Sequence, residues 1–361
     1  MATLASPDLR AARAEFAGGR SYLAACTVGL PTRSTRAAVI ADLDAAGAGG
    51  ASARAYTATV ERTRGSFARL VGVKPSRIAI GSQASVFAGL IAASVPDGAE
   101  VLCADGDFSS MVLPFAHAGR GIRLRTAPLD ELATAITPDT ALVAFSVVQS
   151  ATGEVADAAA IRAAARRHGA RTLCDATQAV GWMPVDAADY DAVICHAYKW
   201  LCAPRGVAFM AITEAFAATV KPVFAGWYAG EDPWVSCYGH EVALAPDATR
   251  FDVSPAWQAF VGAEPALELF ASLDAAALHD HATGLAAAFR DGAGLPEPDR
   301  ASAIVTWSDP DGSDLARLAD AGIVASGRAG RARVAFHVFN DEQDVTDAVR
   351  ALRGRRSVLS R

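Results

Sequence analysis

Residues 172–209 read TLCDATQAVGWMPVDAADYDAVICHAYKWLCAPRGVAF. An apolar run ends on Asp175, Gln178 follows about one helical turn later, and a second apolar run, Ala192 to Cys195, opens into His196, Tyr198 and Lys199. Short apolar runs bounded by turn residues are the pattern of buried strands. Two strand ends therefore deliver a carboxylate and an amine to one place. For an arbitrary Asp and Lys, that pairing is a salt bridge.

Outward from this segment the pattern alternates. Toward the N-terminus, strands are expected at Arg77–Ile80, Glu100–Ala104, Ile122–Thr126 and Ala141–Val148, with helices at 53–71, 86–94, 111–118 and from the N-cap Asp157 to His168. An amphipathic helix at 7–17, a strand SYLAAC at 21–26 and a helix started by Pro31 precede them. Beyond the segment come a strand at Val207–Thr213, a helix at 214–220, and one long alanine-rich helical stretch from Pro255 to about Arg290. Strands at Ile304–Trp307 and Arg333–Phe339 and helices at 314–321 and 342–352 complete a smaller α+β unit. Strands separated by helices predict an α/β fold, a mainly parallel sheet covered on both faces, with ligands beyond the carboxyl ends of the strands.

Bulk composition narrows the function. The chain has 361 residues, 52% of them hydrophobic, and a net charge of −6, enough for one large domain and a smaller one. No Lys/Arg cluster interleaves with aromatics, so no nucleic-acid partner is expected. The first twenty residues lack a secretory apolar core, and no run of 18 or more apolar residues appears, so a cytoplasmic protein without membrane contact is expected. The six cysteines lie far apart with no CxxC or Cys/His ligand spacing. They read as reduced and mostly buried, and no metal is expected. The turn GSQAS (81–85) joins a strand to a helix, where unpaired N–H groups make an anion site. It is neither a Walker A loop nor GxGxxG, so neither ATP nor a dinucleotide is indicated.

DATQAVG, HAYKW and PRG together resemble the lysine segment of the class V aminotransferase family, fold-type I pyridoxal 5'-phosphate (PLP) enzymes. The resemblance runs from about Tyr22 to about Leu352. It implies the aspartate aminotransferase-like PLP-dependent transferase fold: an N-terminal helical segment 1–20, a large PLP-binding domain 21–254 and a small C-terminal domain 255–361. Lys199 would carry the cofactor as a Schiff base and Asp175 would hold the pyridinium nitrogen, with Gln178 donating to the phenolic oxygen. Ser82 and Gln83 fall at the phosphate turn, where the family's usual Thr is missing. Phe108 falls where a His, Phe or Tyr lies against the ring. Ser150 takes the place of an Asn that contacts the phenolic oxygen or the substrate, with Gln149 as a rival. His196 and Tyr198 stand where phosphate contacts occur.

FAGWYAGEDPW (224–234) resembles a loop whose Trp, here Trp227, reaches the neighbouring subunit's phosphate. ATRFDVSPAWQAFVG (248–262) puts Ser254 at a Thr position of a second such loop. Both imply a homodimer with active sites at the interface. Thr27 and Leu30 are implied at the substrate mouth. In RVAFHVFNDEQDV (333–345), Arg333 is the implied hold on a substrate carboxylate, with Arg328 and Arg331 as rivals.

These residue types suit PLP chemistry. A carboxylate near the ring nitrogen favours its protonated form, and protonation strengthens the ring as an electron sink. A lysine, ordinarily near pKa 10.4, becomes a usable proton carrier when burial and nearby cations lower it. A desulfurase needs a mobile cysteine before the last strands, where this chain reads GIVASGRAGRARV (322–334). The expectation is an enzyme acting on a small amino acid through an external aldimine, by transamination first and β-eliminating C–S lysis second, with a catalytically inactive scaffold as the remote alternative.

Overall fold

Seven short runs built largely from Ala, Val, Ile, Leu, Phe and Cys form one sheet in the computed structural model, which describes residues 7–353. Residues 1–6 and 354–361, the outer ends of the expected N-terminal segment and small domain, lie outside the described residues. The strands are β1 (Ile78–Gly81), β2 (Glu100–Ala104), β3 (Arg123–Ala127), β4 (Thr140–Ser146), β5 (Arg171–Asp175), β6 (Ala192–His196) and β7 (Ala208–Ile212). Their spatial order is β1-β7-β6-β5-β4-β2-β3. β7 runs antiparallel to both of its neighbours and every other pairing is parallel.

Burial on both faces explains why these strands, the edge strand β3 apart, read as largely continuous apolar runs instead of alternating ones. Ile78, Ile80, Val143, Phe145 and Val193 face a core shared with helices Ala53–Leu70, Ala158–His168 and Trp257–Ser272. Ala79, Leu142, Ala144, Ala192 and Ile194 face the opposite core, against helices Ala84–Ala92 and Ser109–Ala116. The two layers hold β1, β2, β4, β5 and β6 with their carboxyl ends along one edge.

A second, antiparallel sheet contains β8 (Ile304–Ser308), β9 (Ser326–Arg328) and β10 (Arg331–Ala335) in the order β8-β10-β9. Val305, Val334, Phe336, Leu318 and Phe289 form its own core with helix Glu342–Arg353.

The local differences from expectation have physical reasons. SYLAAC forms no strand, making single bridges from Tyr22 to Val324 and from Ala24 to Ala335. The helix expected to start at Pro31 starts at Arg33, because the Thr32 side chain accepts from Thr35 N–H and caps it. The long helical stretch breaks at Leu273 and resumes as Ala275–Ala293, with Asp274 accepting from two N–H groups as its cap. The boundary expected at 255 precedes helix Trp257–Ser272, which packs on helices Arg33–Gly47 and Ala53–Leu70. All six cysteines are free, and Cys237 is exposed where burial was expected. No described helix is long and apolar enough to cross a membrane. No group of His, Cys, Asp or Glu among the described residues is placed to hold a metal.

Candidate active site

The chain leaves β6 at His196, turns through Tyr198 and Lys199, and returns as β7. Two glycines permit this loop. A Cβ on Gly29 would lie 2.0 Å from the Lys199 carbonyl oxygen, and one on Gly181 would lie 2.5 Å from that of Trp200. Gly29 N–H also donates to the Tyr198 carbonyl at 2.8 Å. Trp200 is buried and donates its indole N–H to Gln178 Oε1 at 2.8 Å, while Trp182 donates to the Gln178 carbonyl at 2.6 Å. The residue expected from the sequence to face a cofactor oxygen is therefore fixed by two indoles, one on its side chain and one on its backbone. Its Nε2 donates to the Cys26 carbonyl at 2.9 Å and to Ser150 Oγ at 3.1 Å.

One cleft at the strand ends is lined by Phe108, Ser150, Asp175, Gln178, His196, Tyr198 and Lys199. The Lys199 ammonium lies 5.3 Å from the centre of the Phe108 ring. Burial lowers Lys199 to about 8, with Asp175 opposing and the Arg333 and Arg328 charges reinforcing the shift. Asp175 moves the other way: burial raises it, against the stabilising hydrogen bond from Thr177 N–H at 2.8 Å. Among the described residues, no salt bridge joins Lys199 to Asp175.

His196 is held neutral, at about 4, by burial and then by the Arg205 and Lys199 charges. Its buried Nε2 has no hydrogen-bond partner among the described residues. Arg333 is buried, donating to Ser150 O and Oγ, to Thr27 Oγ1 at 2.7 Å and to Ser326 Oγ at 3.1 Å. No carboxylate among the described residues pairs with it.

Other expected residues stand apart from the cleft wall. Ser82 and Gln83 are exposed before helix Ala84–Ala92, and Gln83 caps it without a side-chain bond. Ala84, the next residue, lines the cleft. Leu30 packs partly buried on the large core, Trp227 packs against Tyr228 and Trp234, and Ser254 is exposed. Arg328 is exposed and donates to the Gly327 carbonyl.

Ser110, Ser146 and Thr177 line the cleft without having been singled out from the sequence. Thr177 Oγ1 accepts from His196 N–H at 3.0 Å and ties the two strand ends together. Asp107 accepts from Ser146 N–H at 2.7 Å, Ser146 Oγ at 2.5 Å and Phe108 N–H at 2.6 Å, so it sets where Phe108 stands. Its signal was available in DGDFSS, an acidic residue just past a strand end.

The residues present fit pyridoxal phosphate. A buried amine of lowered proton affinity suits Schiff-base attachment. Asp175 is a buried carboxylate without a salt bridge among the described residues, suited to a protonated ring nitrogen. The orphaned His196 Nε2 and the uncapped helix start at Ala84 are polar groups an anion can satisfy.

The sequence model described as Aminotransferase class-V matches residues 42–293. Kynureninase of Deinococcus radiodurans is 30% identical over 248 residues, covering 66% of this chain and 60% of that protein. Isopenicillin N epimerase of Amycolatopsis lactamdurans is 34% identical over 179 residues, 44% of each chain. The match thus spans about half of the length of these relatives. Among solved structures, a complex of the cystine C-S lyase C-DES with cysteine persulfide superposes with a TM-score of 0.83 at 21% identity, covering 93% of this chain and 97% of that one. The cysteine desulfurase CsdA of Escherichia coli gives 0.82 at 19% identity, covering 96% and 98%. At such identities these two show a shared fold. The family match and the geometry of the cleft agree, and the chain belongs to the class-V aminotransferase family, fold-type I enzymes whose cofactor is pyridoxal phosphate.

Proposed function

We propose that this protein acts on the amino group of a small amino acid, by transamination. The observation that carries the reading is a buried amine in the cleft, lowered to about 8, together with a buried guanidinium, Arg333, that donates to Ser150 of the cleft wall and has no salt-bridge partner among the described residues. Those two groups match the two ends of an α-amino acid.

Pyridoxal phosphate, when bound, supplies the electron sink for charge developing at the substrate's α-carbon. The chain's residues supply the rest. Asp175, buried, would hold a proton on the ring nitrogen through its opposite charge. Ala84 N–H, His196 and Tyr198 of the cleft wall would hold the phosphate, and Phe108, steadied by Asp107, covers a face of the cleft. Arg333 orients the substrate by its carboxylate through a forked contact. Lys199, near pKa 8, alternates between accepting and returning a proton at the α-carbon, close to the optimum for an acid-base group at neutral pH.

Trp227 and Ser254 stand outside their own chain's cleft, which supports a dimer reading in which a second copy receives them.

Incubating the cofactor-loaded protein with a panel of amino acids tests the reaction. Keto-acid-dependent product formation supports transamination. Pyruvate and ammonia released with no acceptor present would replace it with β-elimination, the reaction class of the C-S lyase that shares this fold.

A further inference from the structure

The β9–β10 hairpin carries a cationic face that the reading above uses at only one position. Arg328 stands opposite Arg331, and Ser326 opposite Arg333. Directly opposed residues project to the same side of a sheet, and so do residues two apart on one strand. All three guanidiniums therefore leave the sheet on one side. That side faces the cleft, because Arg333 reaches Ser150 and Thr27. The other side carries Ala332 and Val334, both buried.

The arrangement is costly as it stands. Like charges directly opposed on neighbouring strands repel. The connecting turn keeps them opposed: Ala329 (φ 49°) and Gly330 (φ 71°) are both left-handed, the geometry of a two-residue hairpin loop, which alanine adopts reluctantly. Among the described residues no carboxylate forms a salt bridge with Arg328, Arg331 or Arg333. Arg331 donates to Thr306 Oγ1 at 3.0 Å and to the Thr306 carbonyl. Asp309, just past β8, accepts from Asp314 N–H at 3.0 Å and Leu315 N–H at 3.1 Å with its two oxygens. A chain of net charge −6 thus leaves a face of one sign beside its cleft.

We propose that this face reads a second acidic group, so that the substrate class is the dicarboxylic amino acids. Arg333 takes the α-carboxylate, and Arg331 with Arg328 takes the carboxylate that ends the side chain. The inference rests on the amino-acid reading of the cleft and narrows it. Arg331 and Arg333 are about 7 Å apart along the strand, and a guanidinium fork binds a carboxylate through two parallel N–H donors.

The test titrates the cofactor-loaded protein with aspartate, asparagine, glutamate and glutamine, reading dissociation constants from the cofactor's absorbance. In parallel, the rise in Tm with succinate is compared with that from propionate. Each acid is expected to bind about tenfold or more tighter than its amide, one well-made charged contact being worth at least that. Arg328→Gln combined with Arg331→Gln is expected to bring the ratio to about one while the cofactor band stays. An acid bound no tighter than its amide, or a double variant that keeps the preference, overturns the proposal. The succinate arm needs no cofactor. A protein with no cofactor band that still prefers succinate, and loses that preference in the double variant, would sink the PLP reading and keep the dicarboxylate one.

Discussion

Arg64 and Arg333 are almost equally hidden, at 2% and 1% exposure, yet their surroundings are opposite in kind. Arg64 meets Asp252 at 2.7 and 3.2 Å, Glu61 at 2.9 and 3.0 Å and the Ile78 carbonyl at 2.6 Å. Asp252 accepts in addition from Ile80 N–H at 2.8 Å, which ties the 248–254 loop to β1. Arg333 meets neutral oxygens from Ser150, Thr27 and Ser326. A buried charge is tolerated when it is paired and hydrogen-bonded. Arg64 is complete within the chain, whereas Arg333 has hydrogen bonds but no counter-charge. Asp175 is its acidic counterpart, buried, bonded to Thr177 N–H and without a salt bridge among the described residues. Asp175 and Arg333, buried charges of opposite sign beside the cleft and without salt bridges among the described residues, mark where ligand charge belongs: a cation at Asp175, an anion at Arg333.

The largest expected effect separates the two arginines. Arg64→Met leaves Asp252 buried without its partner and should lower unfolding free energy by about 3–5 kcal/mol. Arg333→Met abandons hydrogen-bond acceptors but no counter-charge, so its loss in urea unfolding should be smaller, about 1–2 kcal/mol. An equal loss of stability in both variants would break the comparison. Binding should show the reverse order. The Arg333 variant should lose about 3 kcal/mol of affinity for its amino acid, the range for truncating one side of a buried charged contact. The Arg64 variant, where it folds, should bind almost normally.

Much of this was legible in the sequence, and the exceptions share a cause. Asp175, Gln178 and Lys199 lie at the ends of apolar runs, so local pattern alone placed them at strand ends. Phe108 could be placed by its position just past a strand. Asp107 and Ser146 are 39 residues apart, and Arg333 and Thr27 are 306 apart, so only tertiary packing brings those pairs together. The cationic face depends on register. SGR has no alternation by which to recognise β9, and without β9 the opposition of Arg328 and Arg331 has no expression in the sequence. The break at Leu273 was hidden by alanine on both sides, which favours helix whichever residue interrupts it. Gln178 was read as a cofactor contact, and its clamp between Trp182 and Trp200 went unseen because an indole N–H carries no sequence mark of its partner.

Asp107 offers a milder version of the same comparison, a half-buried carboxylate satisfied by neutral donors. Asp107→Asn keeps the shape and removes the charge from bonds to Ser146 and to Phe108 N–H. The expected cost is about 1–2 kcal/mol in urea unfolding, since a hydrogen bond to a charged group is worth more than a neutral one. Asp107 also contributes to the raised proton affinity of Asp175. The cofactor's absorbance in the variant should therefore titrate differently from wild type, a change that looser packing alone would not bring.

The smallest effect tests whether the unpaired cations are felt at Lys199. Lys199 is held at about 8 in the folded chain against 10.5 for an ordinary lysine, by burial first and by Arg333 and Arg328 after it. Between those two values the unfolded chain binds a proton that the folded chain has released, so this group makes stability rise with pH, by at most about 1.4 kcal/mol per unit. Below pH 8 both states carry the proton, and the cost of burying the charged amine is constant. Lys199→Met has no such cost, so the cofactor-free variant should be the more stable protein below pH 8, with its advantage shrinking as pH climbs toward 10.5. Taking the difference between the two proteins cancels the cysteines and tyrosines that titrate in the same window. Adding Arg333→Met to each should shift the onset of that shrinkage to higher pH, because one repelling charge is gone. Arg64→Met should leave the onset in place, because the charge at that site is already matched by Asp252 and Glu61.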